Sequence, residues 1–140
     1  MEFLPDEIEN VIKDYVIFKP KTKAELEEAV NLWCSNKNKG LNYYGHISNW
    51  NTILITDMSK LFYKKKKFND NISNWDVSNV TTTDNMFECA SYFNQDISKW
   101  DVSSVTSMED MFTGASSFNH PLNSWDVSSV TEMNCMFAVT

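Results

Sequence analysis

Glycine and proline are scarce in this chain of 140 residues, three of each. A chain with so little of the two usual turn formers must bend by other means. Asn, Asp, Ser and Thr side chains bonding to nearby backbone are the means left. Cysteine is scarce too. Cys34, Cys89 and Cys135 share no metal-ligand spacing and cannot all pair, so they read as reduced thiols in a reducing compartment. Basic residues are outnumbered, and the net charge of −7 argues against a general binder of nucleic acid or anionic membrane. No apolar run reaches the ~18 residues of a membrane-spanning helix. The opening MEFLPDEIENVIKDYV places Glu2, Asp6, Glu7 and Glu9 where a signal peptide needs a basic start and an apolar run. A cytoplasmic location is the expectation. Two N-x-S/T matches, at Asn71 and Asn79, then read as repeat grammar rather than glycan acceptors.

What the chain does have is a period. Trp50, Trp75, Trp100 and Trp125 are 25 residues apart, and so are Phe62, Phe87, Phe112 and Phe137. Phe68, Phe93 and Phe118 keep the same step, as do Asn69, Asn94 and Asn119. An unbroken period in the ~20–50 range marks a repeat architecture, in which no unit buries its apolar face alone. Hydrophobic content of 42% and aromatic content of 14% are ample for a core.

Ahead of the repeats the pattern is helical. Leu4, Ile8, Val11, Ile12, Tyr15 and Val16 form one stripe, with Pro5 in the first turn, so a helix is expected over about 4–17. Pro20 ends or redirects it. A second helix is expected over about 22–35, with Thr22 and Glu25 in a capping-box pattern and Ala24, Leu26, Ala29, Val30 and Trp33 on its buried face. Ser35–Gly40 reads as a polar loop. Residues 1–42 therefore form an N-terminal helical cap. Residues 43–140 carry the repeats, as 43–67, 68–92, 93–117 and 118–140, with Tyr43 standing in the first for Phe68. The last unit stops at Thr140, soon after Phe137, so either the natural chain is longer or the C-terminal turn is open; a truncated natural chain or a larger parent is the expectation.

The periodicity changes within a unit. In the third, Ile97, Val102 and Val105 are β-type apolar points between polar turn residues. Met108, Met111, Phe112 and Ala115 then fall on one face of a short helix, with Thr106 and Glu109 as its capping box. Each turn should hold one or two very short strands and one helix or helical turn.

The phrase F-N-x-D-I-S-x-W-D-V-S-x-V-T-x-M-x-x-M-F resembles the 25-residue repeat of BspA-like surface proteins, almost throughout 68–137 and more loosely over 43–67. That resemblance implies a leucine-rich-repeat-like coil, adhesion or protein binding as the activity, and no shared catalytic site. Lys64–Lys67 departs from the pattern, replacing the small-residue segments Cys89–Tyr92 and Gly114–Ser117. The opening FLPDEIENVIKDYV resembles the first helix of an F-box, which implies docking to a ubiquitin-ligase scaffold through Leu4, Ile8 and Ile12. The expected fold is an α/β repeat solenoid: a right-handed, leucine-rich-repeat-like coil of about four turns with short parallel strands and short helices behind a helical cap.

Chemistry is hard to place on such a chain. Asp76, Asp101 and Asp126 form a column flanked by Asp96, which could hold calcium between turns or cap the turn after each Trp. The absence of a Gly-rich calcium pattern favours the cap. The Asn69, Asn94 and Asn119 column is expected to bond turn to turn inside the coil, and the Trp column to lie mostly buried. His46 and His120 stand at different repeat phases with no nucleophile tied to either. No enzyme, cofactor or metal is expected. The leading expectation is a non-enzymatic protein-binding module, with an F-box-type substrate adaptor as the alternative. Candidate partner-binding residues are Lys64, Lys65, Lys66 and Lys67, which could attract an acidic partner, and the variable positions Gln95, Lys99, His120 and Ser124. End-to-end self-association through an open C-terminal turn is a further expectation.

Overall fold

A computed structural model describes residues 16–138. The stretch expected to be helical over about 4–17 thus falls, through residue 15, outside the described residues. Val16 and Ile17 are exposed and non-helical. Helix α1 runs Lys23–Ser35, with the Thr22 hydroxyl accepting from the Glu25 N–H. It buries Leu26, Ala29, Val30 and Trp33, while Ala24 faces solvent. Helix α2 runs Lys37–Tyr44, where a polar loop was expected. Asn36 explains the difference: its backbone ends α1 and its side chain accepts from the Lys39 N–H at 3.1 Å, which starts α2 at once. Gly40 lets the two helices touch, since a Cβ there would stand 2.9 Å from the Trp33 Cα. Because α2 extends to Tyr44, Tyr43 is 76% exposed and does not take the buried place that Phe68 holds.

Beyond α2 the expected α/β solenoid of strand-bearing turns is not formed. The described repeats contain no sheet and no α-helix, only a 3-10 turn at Ile47–Asn49 and single parallel bridges that join Asp57 to Thr82, Thr82 to Ser107 and Ser107 to Glu132. Successive units lie on one another as irregular turns. The Met58, Lys60, Phe62 and Lys64 N–H groups donate to the carbonyls of Thr82, Asp84, Met86 and Glu88, and the same rows recur from 83–89 to 107–113 and from 108–114 to 132–138, at 2.8–3.2 Å. The residues between them close local turns to the third residue back, as Leu61, Tyr63 and Lys65 do to Met58, Lys60 and Phe62. Alternate N–H groups leave for the next unit, so no i→i−4 ladder can form. Left-handed backbone at Lys60, Asn85, Asp110 and Cys135, and again at Lys64, Cys89 and Gly114, breaks any helix at fixed phase. The helical spacing of Met108, Met111, Phe112 and Ala115 therefore marks buried positions without marking a helix. Thr106 caps nothing; its hydroxyl donates to the Thr81 carbonyl of the unit before.

Aromatic columns fill the interior. Phe62, Phe87, Phe112 and Phe137 stack at centroid distances of 5.4–5.5 Å, and Phe68, Phe93 and Phe118 at 5.8–5.9 Å. The two columns interlock through Phe62–Phe68, Phe87–Phe93 and Phe112–Phe118 contacts of 4.0–4.4 Å. Each such pair contributes about 0.5–1.5 kcal/mol beyond its buried area. The indoles are buried as well, and each N–H reaches back: Trp75 donates to the Ile47 carbonyl, Trp100 to Ile72 and Trp125 to Ile97. The first unit packs on the helices through Trp50, which meets Trp33 edge-on at 6.0 Å.

Candidate binding cleft

The Asp column caps turns. Asp76, Asp101 and Asp126 accept the N–H of Ser78, Ser103 and Ser128, and Asp96 accepts that of Ser98. Hydrogen bonds from those serines hold the carboxyls of Asp96, Asp101 and Asp126 below the usual carboxylate range. Among the described residues, no three His, Cys, Asp or Glu side chains cluster as a metal site would require. The Asn column does link the units, with Asn94 N–H on the Asn69 Oδ1 and Asn119 N–H on the Asn94 Oδ1, both at 2.9 Å. It runs along an exposed edge, not inside the coil.

The variable positions divide. Gln95 donates to the Asn69 carbonyl at 2.9 Å, His120 Nε2 lies 3.1 Å from the Asn94 carbonyl, and the Ser124 hydroxyl donates to the Ser98 carbonyl. These three tie one unit to the next. Lys99 is exposed and distant in sequence from the lysine run. Leu4, Ile8 and Ile12 lie outside the described residues.

The lysine run is brought against the helices. Lys64, Lys65, Lys66 and Lys67 line an open cleft of about 480 Å³ together with Trp33, Cys34, Ser35, Lys37, Phe68 and Asp70. Lys64 occupies a left-handed position (φ 58°) and its N–H is tied to the Glu88 carbonyl, so the loop bends at a set place. Its ammonium lies 5.1 Å from the centre of the Tyr63 ring. On the facing wall Lys37 sits 5.2 Å over the Trp33 ring and 2.7 Å from the Asp70 Oδ1. The Trp33 indole N–H donates to the Asp70 Oδ2 at 2.9 Å. Cys34 is exposed as a residue, yet burial of its thiol against the wall outweighs the neighbouring Lys65 and pushes its pKa up to about 11. Such a thiol is not a nucleophile near neutral pH. The cleft is thus a basic surface with an aromatic wall and one carboxylate.

Trp33, Lys37 and Asp70 were missed as site residues. A signal for Asp70 was there, because it is the one acid in the column that Gln95 and His120 share. A larger hollow of about 740 Å³ is lined by Val16, Phe18, Lys39, Leu41, Asn42, Tyr43, Tyr44 and Gly45. Among the described residues, no helix is long and apolar enough to cross a membrane. No curated protein and no solved structure matches the chain. A family model described as "Mycoplasma protein of unknown function, DUF285" matches residues 28–140, which takes in part of α1, all of α2 and every repeat, and the chain belongs to that family.

Proposed function

We propose that this protein is a non-enzymatic binding module that takes an acidic segment of a protein partner in the cleft between α1 and Lys64–Lys67. One observation carries the reading: five lysines converge with the Trp33 ring on one open cleft, in a chain whose net charge is −7. Concentrated positive charge on an otherwise acidic surface steers and orients an anionic segment while the rest of the chain repels polyanions at large. The likeness of the repeats to BspA-like proteins, which are implicated in protein binding, agrees with it. The three free thiols agree with a reducing, cytoplasmic setting.

Fluorescence anisotropy with labelled decaglutamate at low salt tests the reading. Binding that weakens as salt rises, and that is lost when Lys64–Lys67 are all changed to Glu but kept in Lys99→Glu, is the expected result. Binding that survives the fourfold change, or no binding to the unaltered protein, overturns it.

A further inference from the structure

Asp70 occupies a column position with a different job elsewhere. At that phase Gln95 and His120 reach the Asn carbonyl of the preceding unit. A carboxylate has no proton to donate, so Asp70 cannot make that bond. Instead it leaves the column and accepts from the Trp33 indole and the Lys37 ammonium in the cleft wall. A carboxylate is therefore already seated among the cleft's donors, supplied by the chain itself.

We propose that Asp70 is an internal competitor for the cleft: its carboxylate stands where a carboxylate of the acidic partner binds, and partner binding exchanges one for the other on Lys37 and Trp33. This rests on the acidic-segment reading above and adds to it a built-in limit on affinity. The exchange is feasible at Lys37, whose side chain is 56% exposed where that of Asp70 is 26%, because an ion pair open to solvent on one side is screened and weakly held. It leaves no donor unpaired, since the incoming carboxylate replaces the departing one. Lys37 is the cation that Asp70 neutralises, whereas Lys64–Lys67 form no ion pair among the described residues. The lysine run thus captures the partner by charge, and the Asp70 exchange follows capture.

The test uses the full chain with labelled decaglutamate. Asp70→Asn keeps an oxygen acceptor for the Trp33 indole but removes the charge. It is expected to tighten binding by about 1.5–5-fold, the range one freed exposed ion pair spans. Lys37→Met should weaken binding more in the Asp70→Asn background than in the unaltered protein. A measurement free of mutation accompanies these. In ¹H–¹⁵N spectra of the unaltered protein, the Trp33 indole cross-peak should move on titration, because its partner is the Asp70 carboxylate, while those of Trp75 and Trp100, which donate to backbone carbonyls, stay. Unchanged or weaker binding by Asp70→Asn, or a stationary Trp33 cross-peak while the peptide binds, overturns the inference and leaves the acidic-segment reading intact. Failure of the unaltered protein and of Asp70→Asn alike to bind overturns both.

Discussion

Left-handed backbone is the recurring constraint at single residues. Gly114 (φ 72°) occupies the phase that Lys64 and Cys89 hold at 58° and 59°. A Cβ at Gly114 would stand 3.3 Å from the Cys89 Sγ. Gly114→Ala is expected to cost about 1–2 kcal/mol, read from urea unfolding, because a side chain in that region crowds the following carbonyl. Lys64→Gly relieves the same crowding, so it should leave stability near that of the parent and serve as a loss-of-charge variant in binding work. The capping aspartates set the acid response. Asp96, Asp101 and Asp126 hold carboxyl pKa values below the ordinary ~3.9, so their contribution is complete above that value and is lost as pH falls through the lowered native ones. Melting temperatures between pH 5 and pH 2 should fall in that order of pH. Asp101→Asn, which retains an acceptor for the Ser103 N–H, should flatten part of the fall.

At the scale of elements, the α1–α2 contact positions the cleft wall. Gly40→Ala gains about 1 kcal/mol of helix propensity. Against this, the new methyl lies 2.9 Å from a backbone atom of Trp33, which no side-chain rotation relieves. Overpacking costs about 1–3 kcal/mol and wins, so the variant should be net destabilised by about 1 kcal/mol. Because Trp33 carries the bond to Asp70, a displaced α1 should also shift the Trp33 indole cross-peak. The elements of the repeats are turns, and they are held by their neighbours. Removing the Trp100 indole N–H, as in Trp100→Phe, deprives the Ile72 carbonyl of its partner across the stack.

For the whole molecule, exposure is uneven from unit to unit. Val77 and Val102 are buried, whereas Val127, at the same phase, is 40% exposed, and Met133 and Phe137 are 41% and 52% exposed. Phe137 stacks on Phe112 at 5.4 Å, whereas Phe112 is fully buried between Phe87 and Phe137. Phe112→Ala should therefore cost about 3–5 kcal/mol in urea unfolding, and Phe137→Ala markedly less.

The recurrence of Trp, Phe and Asn every 25 residues determined from the sequence alone which side chains share a column, and the Asp–x–Ser pairs determined how a chain poor in glycine turns. Thr22 and the apolar stripe of Leu26, Ala29, Val30 and Trp33 placed α1 just as directly, because cap and stripe are local. Local spacing could not tell a helix from a row of turns in Met108–Ala115. Both bury the same phases, and only contact between units shows that every second N–H crosses to the next one. Nor could it show the cleft. Asp70 lies more than thirty residues from Trp33 and Lys37, and it meets them because α1 lies against the second unit, a long-range packing that no periodic pattern encodes.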